Sequence, residues 1–275
     1  MAQPSLDIIE DKLMKVIWGA VFAGLTTSCI VKEALDDGES QVSPEGELDC
    51  HEPNVFSNFN LPAETIYFPV VFQRVTRSDG TGGYSATDFL ENLSGLNQTF
   101  KPMRIQFFLE ETVNLPDDSI YEIDLDEGRE ESLERIRSYF IDGALSLFIV
   151  DQITGPALAY TLGHYGFIAE ESANSVTWTH EIGHCFGLLH THMPGGDFIP
   201  DTPDDPGPLW VNENGCVASD NCETVECSPV EGEIPQPDFR NFMSYYPDIC
   251  KDHFTPNQQQ VIWCSAENSL QRFFE

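Results

Sequence analysis

Beyond the N-terminal region, apolar residues first gather from Ile66 to Val75 (IYFPVVFQRV), a run that reads as a strand, with Pro69 marking either an edge position or a strand start. Helical spacing follows over 86–98 (ATDFLENLSGLNQ). A second strand is predicted over 104–112 (RIQFFLEET) and a short third over 120–125 (IYEIDL). Just after Gly128, residues 130–139 (EESLERIRSY) have the pattern of a charged-faced helix. LSLFIV at 145–150, apolar but for Ser146, reads as a continuous buried strand, and 157–169 hold another strand. Ser172 or Asn174 caps the helix that carries WTHEIGHCFGLLHTH (178–192). Beyond His190 regular patterns fade until a C-terminal helix from Pro256 to Phe273, and no internal repeat is visible. The pattern predicts an α+β chain, with a mixed α/β half first and an irregular half after it.

The N-terminal region alters this picture. Residues 1–13 carry acids, whereas Met14-Lys15 opens a basic start, an apolar run of secretory length and small residues before Cys29. The run is too short to span a bilayer as a lasting helix. It resembles a bacterial lipoprotein signal with Cys29 as the lipidated residue, although Thr26 stands where such signals usually have leucine. We take residues 1–29 as an extension plus signal, with Met14 as the true start; a buried amphipathic helix is the alternative. Residues 30–62 are acidic and turn-rich, a tether or pro-segment. The main folded domain is expected over 63–275. The reading is thus of an exported chain, cell-surface lipoprotein or secreted, that acts as a monomer and meets membranes only through the lipid at Cys29.

Composition narrows the function classes. The 275 residues include 46 acidic and 13 basic side chains, a net charge of −33, and 41% are apolar. Such a surface repels nucleic-acid phosphates and anionic membranes, so no nucleic-acid partner is expected. It suits a salty or calcium-rich exterior, and plain solubility accounts for it equally well. Four cysteines, Cys216, Cys222, Cys227 and Cys250, fall in a loop-rich stretch with little periodicity. An exported segment of that kind takes disulfides as staples, and no Cys-x2-Cys spacing points to a zinc ribbon.

The chemistry concentrates in one stretch, which holds four of the seven histidines. His180 and His184 are one helical turn apart and share a face, so they can chelate one ion. Glu181 lies beside that ion rather than on it, placed to take a proton from a water. In a continuous helix His190 would lie about 9 Å further along the axis and about 120° around from His184. Gly187 can adopt a positive φ, end the helix and swing His190 back as a third ligand. His192, two residues on, points elsewhere. Three neutral imidazoles suit zinc with a fourth position open for water, and Glu181 then serves as general base. A structural zinc would use a fourth protein ligand; Cys185, adjacent to His184, faces about 100° away.

The motif His180-Glu-x-x-His184-x-x-Gly187-x-x-His190 resembles that of the metzincin metalloproteases, with Asn241-Phe-Met243-Ser-Tyr245 similar to their methionine turn. More closely, the chain resembles pappalysins of the ulilysin type. The shared features are HExxHxxGxxHT, Asp201-Thr-Pro203, Asn-x-Met-x-Tyr, Cys250 and Phe254-Thr-Pro256-x-Gln258, strong over 174–260 and looser over 64–173. The resemblance implies a zinc endopeptidase acting on protein or peptide substrates. It implies an upper subdomain (63–187) with a twisted mixed sheet, an irregular lower one (188–275) and a cleft between them. Met243 would lie beneath the zinc ligands and Tyr245 would help stabilise the oxyanion. Cys222–Cys250 and Cys216–Cys227 are the implied bridges. A calcium is implied in the loop Gly196–Thr202, held by Asp197, Thr202 and the carbonyls of Gly196 and Pro200.

Two departures stay open. Cys185 and Cys264 either bridge the active-site and last helices or are two reduced core cysteines. Cys50, just before the catalytic fold, stands where some relatives carry a cysteine that blocks the zinc until cleavage; a free or differently paired thiol is the other reading. The competing functions are a surface lipoprotein that binds partners around a structural zinc, and a zinc hydrolase of non-peptide amides.

Overall fold

The computed structural model describes residues 50–51, 63–126, 128–155, 159–162, 165–219, 222–227 and 236–267. The chain runs β1 (Ile66–Thr76), α1 (Ala86–Phe100), β2 (Ile105–Pro116), a single turn α2 (Asp118–Tyr121), β3 (Glu122–Asp124), α3 (Arg129–Arg137), β4 (Leu145–Val150), β5 (Gln152–Thr154), β6 (Ala159–Leu162) and β7 (Tyr165–Ala169). It continues with α4 (Ser175–Cys185), α5 (Gly207–Glu213), β8 (Cys216–Ala218), β9 (Val225–Cys227) and α6 (Pro256–Ser265). The class is α+β. The leader and most of the acidic segment, with Met14 and Cys29, lie outside the described residues. Among the described residues no helix is long and apolar enough to cross a membrane.

The main sheet has the order β2-β1-β4-β7-β6. Its first four strands are parallel, and β6 returns antiparallel to β7 as the edge. Residues 157–169 therefore contain two strands rather than one. Pro69 does not make β1 an edge, because β1 lies between β2 and β4. Pairing with β4 begins one residue later, at Val70, so the missing N–H falls at the unpaired start of that ladder. IYEIDL divides, its first two residues closing α2 and the next three forming β3. Asp117 makes the difference: its side chain accepts from Ser119 N–H and starts the helical turn.

Strand periodicity sorts the core onto two faces. Phe68, Val70 and Phe72 of β1, with Leu145, Leu147 and Ile149 of β4, pack against α1, α4 and α6. Phe148 and Val150 of β4, with Phe167 and Ala169 of β7, face Ile120, Ile123 and Ile136 on the other side. A strand covered on both faces favours apolar residues at every position, and LSLFIV follows this but for one small polar residue, the fully buried Ser146. Phe72 stacks on Phe89 of α1 with ring centroids 4.0 Å apart, and Phe89 meets Trp178 of α4 edge-on at 4.7 Å. Each buried ring contributes about 1.5–3 kcal/mol, and together they fix α4 over the sheet.

The C-terminal half is less irregular than its sequence suggests. The short helix α5 and the β8–β9 hairpin build a small third cluster around Val211, Cys216 and Tyr246. Cys216–Cys227 closes that hairpin, and Cys222–Cys250 ties it to the loop after the methionine turn. The bridge considered between Cys185 and Cys264 is not formed. Cys264 is bonded to Cys50 instead, while Cys185, buried on α4, belongs to none of these three disulfides. This also corrects the latency reading, because a sulfur held in a disulfide is not a thiolate that can ligate zinc. The C-terminal helix is described only to Ser265 as regular α-helix, and its predicted continuation to Phe273 lies outside the described residues.

Candidate metal centre

Helix α4 starts at Asn174, not Ser172: the Asn174 side chain accepts from the N–H groups of Val176 and Thr177. Trp178, Ile182 and Cys185 point into the core, which turns His180, Glu181 and His184 along the neighbouring stripe. The helix ends in a Schellman motif. Gly187 N–H donates to His184 carbonyl at 2.9 Å and Leu188 N–H to Gly183 carbonyl at 3.1 Å, with Gly187 at φ 86°. The reversal brings His190 back beside the helix.

The result is a triangle of imidazole nitrogens. His180 Nε2 is 3.1 Å from both His184 Nε2 and His190 Nε2, and the last two are 3.0 Å apart. Zinc bound tetrahedrally at about 2.0–2.1 Å holds its nitrogens roughly 3.3 Å apart, so the triangle needs only a slight opening to accept it. The opposite ring atoms set the tautomer. His180 Nδ1 lies 2.7 Å from Phe242 carbonyl and His184 Nδ1 lies 2.7 Å from Leu188 carbonyl. A carbonyl only accepts, so Nδ1 carries the proton and Nε2 presents its lone pair. Burial lowers the basicity of all three rings, and their mutual proximity adds to it for His180 and His190; His184 falls to about 4. Among the described residues this is the one cluster of at least three such side chains with metal-binding spacing.

Glu181 is buried on the same helix, and its carboxylic acid is pushed up to about 7, chiefly by burial. A hydrogen bond from Thr161 and the positive charge of Lys251 act in the opposite direction. Lys251 has no counterpart in the sequence argument. Its ammonium, almost fully covered, pairs with Asp248 at 3.0 Å, and Asp248 in turn accepts from Asn174, the cap of α4, at 3.2 Å.

Met243 is fully buried against α4, where a Cβ on Gly183 would meet its Sδ at 2.6 Å. Close approach of the methionine turn is therefore why position 183, inside the motif, is glycine. Tyr245 is half exposed, with its ring centroid 4.5 Å from that of His190 and 5.9 Å from that of His180. His192 stays outside the triangle. It stacks on His190 at 5.0 Å and touches Tyr245 at 4.4 Å, forming a wall of the site.

A buried polar chain holds the methionine turn. Asn241 Oδ1 accepts from Met243 N–H at 2.9 Å and from Gln258 Nε2 at 3.2 Å, and Asn241 Nδ2 donates to Gln258 Oε1 at 2.8 Å. Gln258 belongs to the capping box of α6, and its Oε1 accepts from Thr255 N–H at 2.9 Å. Asp201 completes the chain by accepting from Thr255 Oγ1 at 2.6 Å and from Asn257 N–H at 3.0 Å. The separate motifs around residues 201, 241 and 255 are thus one connected scaffold. Thr191 N–H donates to Met243 carbonyl at 3.1 Å and so anchors the segment just past His190 to the same turn.

In the loop Gly196–Thr202, Asp197 is buried. Its Oδ1 accepts from Ile199 N–H at 3.0 Å and from Thr202 Oγ1 at 2.7 Å, while its Oδ2 is buried with no hydrogen-bond partner. Gly196 has φ 90° and donates its N–H to Met193 carbonyl; Pro200 lies within the same loop.

No family model matches the chain. An extracellular metalloprotease of Colletotrichum graminicola is 31% identical over 230 residues, covering 73% of this chain and 76% of the relative. An extracellular metalloprotease of Podospora anserina is 30% identical over 241 residues, covering 74% of each. Extracellular metalloprotease 1 of Coccidioides posadasii is 27% identical over 235 residues, covering 75% and 78%. Among solved structures, mirolysin in complex with compound 9 superposes with a TM-score of 0.57 at 18% identity, over 77% of this chain and 96% of that one. Mature mirolysin of Tannerella forsythia in complex with a cleaved peptide gives 0.55 at 17% identity, over 78% and 96%. At that identity the likeness is one of fold.

Proposed function

This chain belongs to the family of extracellular metalloproteases, and from that premise we propose that it is an exported zinc-dependent endopeptidase with His180, His184 and His190 as zinc ligands and Glu181 as general base. The observation that carries this reading is the Nε2 triangle with two of its Nδ1–H groups anchored on carbonyls, a donor set suited to one zinc and, among the described residues, without a fourth protein ligand. When bound, zinc supplies Lewis-acid polarisation of the scissile carbonyl and lowers the pKa of water.

The chain's own residues do the rest. Glu181 accepts the proton of the attacking water and passes it to the leaving amine. Tyr245, half exposed beside His190, is proposed to steady the oxyanion with its hydroxyl. β6 pairs only with β7 among the described residues, so its other backbone edge can take an extended polypeptide as an added strand. An intact base and an open strand edge support peptide hydrolysis over a structural zinc or a non-peptide amide substrate.

The finer assignments are proposals of the same kind. The linked scaffold of Asp201, Asn241 and Gln258 supports placing the chain with the metzincins, near the pappalysins, with subdomains 63–187 and 188–275. The partnerless Oδ2 of Asp197 supports a calcium held with Thr202 and the carbonyls of Gly196 and Pro200. Three disulfides and the relatives' extracellular designation support export; lipid anchoring at Cys29 rests on the sequence pattern alone. Elemental analysis of the full chain tests the core reading. One zinc per chain is expected, lost in a His184→Ala/His190→Ala variant; a full complement in that variant would refute the ligand set.

A further inference from the structure

Glu181 has two oxygens in different surroundings. Oε2 accepts a hydrogen bond from Thr161 Oγ1, whereas Oε1 has no hydrogen-bond partner among the described residues. Oε1 is not among the fully buried atoms without a partner, so it is the oxygen that keeps some exposure. Thr161 is no neighbour in sequence: it stands 20 residues earlier, on the edge strand β6.

Sheet geometry explains how it arrives there. Thr161 pairs with Gly166, and Gly166 pairs with Leu147, whose side chain is on the face covered by α1 and α4. Opposed residues share a face, so Thr161 points toward α4 and meets Glu181. A hydroxyl also suits the partner. A buried carboxylate needs a donor, and threonine's β-branched stem keeps that donor in few rotamers on a strand.

We propose that Thr161 is the positioning residue for the general base: it holds Oε2 so that Oε1 is the oxygen presented to the attacking water. Because Thr161 lies on the strand whose free edge would pair with substrate, engagement of a polypeptide there and alignment of the base share one element. This rests on the peptidase reading above. The Thr161 hydroxyl meets Glu181, so its proposed part is played through that residue. Misplacing a catalytic group by about 1 Å can cost on the order of a hundredfold, and a carboxylate still confined by burial should lose about tenfold.

The test compares Thr161→Val, which keeps the shape and removes the hydroxyl, with Thr161→Ser, which keeps the hydroxyl, in the full zinc-loaded chain. Initial rates are measured on azocasein and on a quenched-fluorescence peptide that the wild-type chain cleaves. Thr161→Val should lose about tenfold in kcat with KM within about twofold and one zinc retained, and Thr161→Ser should restore kcat. In the metal-free chain with 13C-labelled glutamate, the Glu181 carboxyl resonance, assigned by its loss in Glu181→Gln, should move in Thr161→Val and stay in Thr161→Ser. Wild-type kcat in Thr161→Val, equal losses in both variants, or an unmoved resonance would each overturn the proposal. If Glu181→Ala itself retains full activity, the peptidase mechanism fails; if Glu181→Ala is inactive and Thr161→Val is not impaired, only the role of Thr161 falls.

Discussion

Replacing Asn241 by alanine tests whether the polar scaffold under the metal centre holds the site together. The substitution removes the acceptor of Met243 N–H and of Gln258 Nε2, and both are buried. Gln258 Oε1 keeps its bond from Thr255 N–H, so two donors, not three groups, are orphaned. At roughly 1–3 kcal/mol per orphaned buried group the loss is about 4 kcal/mol, a large share of a typical domain's stability. With a urea slope of about 2.5 kcal/mol/M, the unfolding midpoint of the zinc-loaded chain should fall by about 1.5 M. The same turn presents Phe242 carbonyl to His180 Nδ1, so zinc affinity should weaken by about tenfold or more in competition with a chromophoric chelator. Gln258→Ala alone should cost less than the sum implies, and the double variant should show a coupling above about 1 kcal/mol. A midpoint shift below about 0.3 M, or strictly additive losses, would show that these contacts do not act as one network.

Two glycines of the motif should fail for different reasons. Gly183→Ala drives a Cβ to 2.6 Å from the fully buried Met243 Sδ and should cost about 2–3 kcal/mol in urea melts, whereas Gly187→Ala, whose nearest atom is 3.5 Å away, pays mainly for its φ of 86° and should cost about 1–2 kcal/mol; the reverse order would contradict the packing argument. Burial works to raise the Asp117 carboxylic acid, but hydrogen bonds from Ser119, Tyr139 and Arg135 outweigh it and hold the group down at about 2. Since the unfolded group titrates near 3.9, its stabilisation of about 2.6 kcal/mol is complete above about pH 5 and drains away as pH falls through 4 toward 2. Asp117→Asn should therefore flatten the acid limb of a stability–pH curve between those values while leaving its shape at pH 6–8, and an unchanged acid limb would count against it. Peptide mapping without reduction should recover residues 50 and 264 in one linked fragment, and Cys264→Ser should lower stability by several kcal/mol through the lost 214-residue closure; a linked 185–264 fragment would reverse the assignment.

Local spacing foretold much of this molecule, and it failed where partners are distant. One face of one helix plus a glycine reversal was enough to bring His180, His184 and His190 to one point, because an i, i+4 pair and a positive-φ stop are local geometry. The apolar runs located four of the five strands of the main sheet for the same reason. Thr161 could not be singled out: its contact with Glu181 depends on the register of β6 against β7, and nothing in a four-residue strand encodes that. Asp201, Asn241 and Gln258 stood out as separate motifs, but their union is a tertiary fact. For Cys50 the differently paired reading holds, but its partner was not legible, because the bond spans 214 residues, beyond any spacing argument. The strand in IYEIDL is shorter than predicted because the Asp117 cap draws Ile120 and Tyr121 into a helical turn.

The most direct test of the central claim is cleavage of a denatured protein substrate by the full chain and by Glu181→Ala, each before and after removal of metal and again after zinc is returned. The account predicts that wild type cleaves, that chelation abolishes cleavage and zinc restores it, and that Glu181→Ala binds one zinc yet cleaves at least about a hundredfold more slowly. Cleavage that survives metal removal, or a zinc-loaded Glu181→Ala variant that cleaves at the wild-type rate, would contradict it.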